Sequence, residues 1–257
     1  MSWASRRRTV YITGVVTFFV IIVGGPLAYW YFSIPATCQD GIQNQGETDI
    51  DKGGPCPLLD TRYLQPEAIL WARSFKVRDG TYTAIATVNN TNKDAGALNV
   101  HYRFSLYDSG NVLVAEREGI AYLMPSAVTP ILESRIDTGN RIVAHTYFAL
   151  TAPPVWGRMR NAASALSVDE KQLTDAFIAP RLEARATNIS VSDVLGPSFI
   201  AVLYDTAGNA FAASETRLDR LSAGSSATIF FTWPSPFPVQ VGRIDITPLL
   251  PPSPASK

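Results

Sequence analysis

The sequence predicts an all-β domain of two tandem β-sandwiches, carried behind one N-terminal transmembrane α-helix. Three observations carry that prediction. Thr9–Phe32 holds no charged side chain, apolar and polar residues alternate from residue 63 onward, and a set of landmarks recurs one domain length later.

The apolar run follows Arg6-Arg7-Arg8, and no charge appears again until Asp40. At about 1.5 Å of helical rise per residue, about 20 apolar residues cross a hydrocarbon core roughly 30 Å thick. A lipid-embedded span at residues 10–33 is therefore expected, behind a stub at 1–9. The arginines make the stub cytoplasmic and the remainder extracellular or periplasmic. Tyr29, Trp30 and Tyr31 belong in the far headgroup layer. Gly24-Gly25-Pro26 would break a soluble helix but is tolerated in a membrane as a kink. The rival is a cleaved secretory signal. Its apolar region is usually about 7–15 residues, and Ile34 two positions before Ala36 fits the small-x-small rule poorly. Ala36-Thr37 ahead of Cys38 makes a poor lipobox. A retained anchor is the expectation.

All 22 acidic residues lie beyond the apolar run, as do all but three of the 22 basic ones. With no basic patch, nucleic acid is not an expected partner. Roughly 210 residues remain after the anchor, enough for two domains of about 100. The 18 prolines and 17 glycines are spread out, as suits short strands joined by turns.

Residues 37–57 form a polar juxtamembrane loop holding the only two cysteines, Cys38 and Cys56. In an oxidising exterior they are expected to pair, contributing roughly 3 kcal/mol to the order of the loop. Asp40, Asn44, Asp49 and Asp51 offer oxygen ligands of the kind Ca²⁺ takes. Their spacing is not that of an EF-hand, and Lys52 opposes a cation. An Asx-rich, disulfide-stapled turn is the competing reading and the preferred one. The stretch resembles the C-x-DG-x-x-N-x-x-E-x-x-x-DCGG-x-C module of secreted bacterial proteins. It matches at Cys38, Asp40, Gly41, Asn44, Glu47, Asp51, Gly53, Gly54 and Cys56, with Lys52 where the module has a third cysteine.

The first domain is expected at 63–152. Its clearest strand is Leu98–Tyr107, with Leu98, Val100, Tyr102, Phe104 and Leu106 on one face. The turn Asp108–Asn111 and a return strand Val112–Glu116 follow. Further strands are read at 69–77, 81–88, 119–123, 130–136 and 142–150. Seven short strands suit an immunoglobulin-like sandwich. The second domain is expected at 155–248, after a junction at Ala152-Pro153-Pro154, with a proline-rich tail at 249–257. Leu203-Tyr204-Asp205 answers Leu106-Tyr107-Asp108 at a distance of 97 residues. Val88-Asn89-Asn90 is matched by Ala186-Thr187-Asn188, and Pro125-Ser126-Ala127 by Leu221-Ser222-Ala223.

Phe104-Ser105-Leu106-Tyr107-Asp108 spells F-x-L-Y-D, and the first domain resembles the FxLYD domains of bacterial envelope proteins. The second keeps the LYD end alone, at Leu203–Asp205. The resemblance implies a sandwich fold and carries no chemistry. Leu106 is expected in the core, with Asp108 capping its turn.

No catalytic constellation is legible, so an enzyme is not expected. His101 and His145 fall in different strands without cysteine or carboxylate at ligand spacing. Phe231, Trp233 and Phe237, set among prolines, are a candidate apolar patch for a protein or glycan partner; the competing and preferred reading caps the sandwich core with Trp233 and Phe237. The functional expectation is a membrane-anchored envelope protein with a non-catalytic binding or structural domain. The alternatives are a subunit of a membrane assembly, packing through Gly14, Gly24 and Gly25, and an envelope hydrolase.

Overall fold

The computed structural model describes residues 3–33, 38–44 and 46–255. Ala36 and Thr37, on which the cleavage and lipobox readings turn, lie outside them. The chain divides into two compact units, Met1–Cys56 and Pro57–Lys257.

In the first unit, α1 (Trp3–Phe19) and α2 (Gly25–Ser33) are joined by a π-helical segment at Val20–Gly24. Pro26 has no N–H to give to the carbonyl one turn back, and the wider π turn absorbs that missing bond. The sequence expects a kink here, and a π segment ahead of the proline is the form the irregularity takes. Arg7–Tyr31 is long and apolar enough to cross a membrane, and its hydrophobic side chains are exposed. Cys38 and Cys56 form the expected disulfide, with their Cα atoms 5.5 Å apart.

The second unit is mostly β-sheet. Its strands are β1 (Ala68–Arg78), β2 (Thr81–Asn90), β3 (Ala95–Tyr107), β4 (Leu113–Leu123), β5 (Ala127–Asp137), β6 (His145–Leu150), β7 (Trp156–Arg160) and β8 (Leu166–Thr174). They continue with β9 (Arg181–Asn188), β10 (Val194–Leu195), β11 (Ser198–Asp205), β12 (Ala210–Arg217), β13 (Arg220–Leu221), β14 (Ser226–Thr232), β15 (Val241–Leu249) and β16 (Ser253–Pro254). Among the described residues they form five sheets. In the first half, β1-β2-β5 faces β16-β7-β3-β4, with β6 also on β3; in the second, β14-β9-β8 faces β12-β11-β15, and β10 pairs β13.

The first core gathers Val88, Tyr102, Phe104, Leu106, Leu123, Ile136 and Phe148 from both sheets of its half. Val100 through Leu106 keep the expected inward phase, but Leu98 does not. Asn99 adopts a left-handed conformation (φ 53°) and the register slips between Ala97 and Val100, so Leu98 turns outward. The expected break between 116 and 119 is also absent, because β4 runs through it. Gly119 lies opposite Tyr102, whose hydroxyl would sit 2.4 Å from an added Cβ. The glycine serves a close approach, not a turn.

Central strands β2 and β11 are buried on both faces. The reason is that the two halves pack sheet on sheet. Ile85 of β2 and Met124 belong to the same buried cluster as Phe199, Ile200, Val202 and Leu203 of β11. Trp71, Phe75, Tyr122 and Leu132 close over that seam.

Three strands escape the periodicity reading, the two-residue β10 and, in the first half, β7 and β16. Pro153 and Pro154 lie between β6 and β7, and both strands hydrogen-bond to β3. The tail returns as β16 and pairs with β7. Arg158 ties both ends of the unit together: its N–H donates to the Pro57 carbonyl (2.7 Å), and its carbonyl accepts from Ala255 N–H (3.3 Å). This junction marks the near end of the unit. The turns at Asp79-Gly80, Asp108–Asn111 and Asp205–Asn209 lie at the far end.

Candidate functional site

A groove of about 780 Å³ lies between the halves of the second unit, toward the far end. One wall is the second part of β1 (Ala72–Val77) with Val143–Tyr147; the other is Ala210–Ala213 of β12 with the segment Trp233–Pro238. β1 and β12 are both edge strands, so their outward carbonyls need partners. Groove side chains supply them. Arg73 Nη1 donates to the Ala210 carbonyl (3.2 Å), Trp233 Nε1 to that of Ala213 (3.3 Å), and Ser235 Oγ to that of Val77 (3.1 Å). The first and third of these also cross the seam.

The aromatic floor is ordered by edge-to-face contacts. The Phe237 ring lies 5.2 Å from Trp233 and 5.2 Å from Phe211. Of the three candidate patch residues, Phe231 and Phe237 are buried and Trp233 is half-buried. Phe230 is the ring that leans outward, under the Arg181 guanidinium at 4.5 Å. The groove is lined by Arg73, Lys76 and His145 and by no acidic side chain. Lys76 is paired with Asp79 at 2.7 Å. The arrangement offers apolar contact, aromatic faces and basic groups to a bound molecule. It brings together no nucleophile, base and oxyanion donor.

Sequence reasoning missed Arg73, Phe75 and the role of His145 here. Their strands are far from Trp233 in the chain, and the groove exists because the halves pack. The one available signal was the aromatic pair Trp71 and Phe75 on the same phase of β1, a second apolar face beyond what one core requires. His101 lies on a different strand from His145, outside the groove lining.

In the juxtamembrane loop the acidic groups are engaged with main-chain N–H donors. Asp51 accepts from Asp40 N (3.1 Å) and Gly41 N (3.1 Å); Asp40 accepts from Ile42 N (2.9 Å) and from Asn44 Nδ2 (3.1 Å). Asp49 accepts from Ile50 N and lies 3.8 Å from Lys52 Nζ. Buried Glu47 accepts from Asn44 N and Asp51 N. Glu47 also comes within 4.8 Å of both Cys38 and Cys56 sulfurs, a spacing a metal ion would accept. Both sulfurs are bonded to each other, so neither is a thiolate ligand.

Three carboxylates at the ends of the second unit are held below the ordinary range. Asp108 is lowered first by the Val112 N–H and then by Arg141, and Asp205 chiefly by the Asn209 N–H. Asp193 is lowered by the Ala223 N–H and then Arg220. At the seam, burial and then the Glu215 charge push the Tyr122 phenol up to about 12.

No protein-family profile and no curated protein matches the chain. Among solved structures it is similar to red sea bream transglutaminase, at 10% identity and a TM-score of 0.26, over 76% of this chain and 32% of that one. Bacteroides uniformis β-glucuronidase gives 11% identity and a TM-score of 0.20, over 61% of this chain and 22% of that one. Bacteroides uniformis β-glucuronidase 2, bound covalently to cyclophellitol-6-carboxylate aziridine, gives 13% and 0.18, over 67% and 22%. The chain spans about a third or less of the length of these proteins. Likeness at this level carries no argument about fold or function.

Proposed function

We propose that the chain is a single-pass membrane-anchored envelope protein with its N-terminus in the cytoplasm. Its 57–257 unit is then a non-catalytic binding module of two immunoglobulin-like sandwiches of the FxLYD type. The observation that carries the binding role is the groove between the halves, with its aromatic floor and basic rim, at the end away from Pro57. What supports the tandem reading is a common strand order. β1-β2-β5 corresponds to β8-β9-β14, and β4-β3-β6 to β12-β11-β15. Buried Leu106 and Leu203, each followed by a turn-capping aspartate, support the FxLYD resemblance.

The test has two parts. Alkaline carbonate extraction should leave the full-length chain in the membrane fraction; release into the soluble fraction points to a cleaved signal. Detergent-solubilised full-length protein is then compared with an Arg73→Glu/His145→Glu variant and with a version carrying an unrelated span. Co-purifying molecules lost in the groove variant and kept with the foreign span support the binding module. The reverse pattern assigns recognition to the native helix and replaces this reading with that of an assembly subunit.

A further inference from the structure

The near end of the second unit carries a loop with exposed aliphatic side chains. Between β9 and β10 the chain reads Ile189-Ser190-Val191-Ser192-Asp193, and the exposures of Ile189 and Val191 are 65% and 98%; Leu195, which ends β10, is 71% exposed. The loop is well tied down. Asn188 Oδ1 accepts from Ser190 N and Ser190 Oγ, and Asn188 Nδ2 donates to the Ser192 carbonyl. Its one acidic group, Asp193, stays exposed but partnered, accepting from Ala223 N at 2.9 Å and pairing with Arg220. The result is a tied-down tip that presents Ile189, Val191 and Leu195 outward, with its single carboxylate neutralised by Arg220. Ordered exposure of this kind marks a contact surface.

The loop's position favours one partner. It borders a cleft with Arg160, Asn161 and Ala162, immediately after the strand whose Arg158 receives Pro57. Pro57 follows Cys56 in the chain, and the Cys38–Cys56 disulfide takes residues 39–55 out of the covalent path leading back to the apolar helix. Aliphatic side chains on a firm loop, at the end reached by a short tether from a membrane span, meet the requirements of an interfacial lipid contact.

We propose that the Ile189–Leu195 loop inserts its aliphatic side chains into the headgroup–acyl boundary of the bilayer, a second lipid contact besides the helix. This rests on the anchored reading above.

The test uses the full-length chain in phosphatidylcholine/phosphatidylglycerol nanodiscs, with a fluorophore on Val191→Cys, on Ile142→Cys at the far end, or on Val16→Cys in the helix. The expected result is quenching of the Val191 probe by lipid-borne nitroxide and loss of its quenching by aqueous iodide, with the Ile142 probe showing the opposite. Iodide quenching at Val191 equal to that at Ile142 overturns the proposal. Shielding of Val191 from both quenchers also overturns it, in favour of a protein cover or a second copy. A Val16 probe out of reach of the lipid nitroxide defeats the anchored reading itself. That result is distinguishable from failure of the loop contact alone, in which Val16 is quenched and Val191 is not.

Discussion

Asn90 and Asn188 do the same work in the two halves of the β-rich unit. Each is fully buried, and each donates from Nδ2 to two main-chain carbonyls, one just ahead in the chain and one across the fold. For Asn90 these are Ala95 (2.7 Å) and Met124 (3.0 Å); for Asn188 they are Ser192 (2.8 Å) and Leu221 (3.0 Å). The pairing makes Met124 the counterpart of Leu221, one residue away from the Pro125–Leu221 match that residue types suggest.

Replacing Asn90 takes the side-chain donor from two buried carbonyls; replacing Asn188 takes it from the buried Leu221 carbonyl and from that of Ser192, which still accepts from Ser190 Oγ. Asn90→Ala and Asn188→Ala are each expected to cost about 1–3 kcal/mol, measured by denaturant unfolding. Asparagine-to-aspartate changes are expected to be worse, because an anion would face two carbonyl oxygens without a donor. Loss below about 0.5 kcal/mol in both alanine variants would refute the structural role.

Gly119→Ala tests the close approach in β4. An added methyl would meet Tyr102 Oη at 2.4 Å and Glu133 Oε1 at 3.0 Å, while Tyr102 donates to that same carboxylate at 2.6 Å. A loss of about 1–3 kcal/mol is expected, as for other overpacked sites. Tyr102→Phe would leave the ring carbon Cζ 2.5 Å from that methyl, so relief needs a shorter side chain: Gly119→Ala combined with Tyr102→Leu should cost less than the sum of the two single changes.

Ile85 tests whether the halves unfold together. It is fully buried in the cluster shared with β11. Ile85→Ala is expected to cost about 2–5 kcal/mol and to shift one cooperative transition followed by both tryptophan fluorescence and circular dichroism. Two separated transitions in the native chain would mean the seam is weaker than its burial implies.

Acid stability follows from the turn aspartates. Asp108, Asp193 and Asp205 have folded-state pKa values below the usual 3.8, so the unfolded chain binds protons more readily. Their contribution is present above the unfolded value and lost as pH falls below about 4, through the folded values. Unfolding free energy should therefore decline from pH 5 to pH 2, and Asp205→Asn should flatten that decline. An unchanged slope would contradict the assignment.

The alternation from Val100 to Leu106 was readable because one strand face meets one core. Ile85 and Val202 were not, because both faces of their strands are covered, and periodicity vanishes once the second half packs on the first. Gly119 was read as the start of a new strand because the reason for it, the Tyr102 ring, lies on another strand. β7, β10 and β16 were missed because their pairing comes from distant partners rather than from local pattern. For the groove, the candidate residues Trp233 and Phe237 line one wall, and nothing local in the sequence links them to Arg73 or His145 on the wall opposite. Phe231 and Phe237 face inward, where their area is hidden from solvent.

Arg158 receives Pro57 on its nitrogen and Ala255 on its oxygen, so the backbone from 57 to 255 traces a nearly closed ring. A short linker joining those two ends, with new ends cut at the exposed turn 206–208, should give a circular permutant with the same sheets. A reporter fused after Ala255 would lie beside the start of the unit and watch that pole, leaving the groove unobstructed.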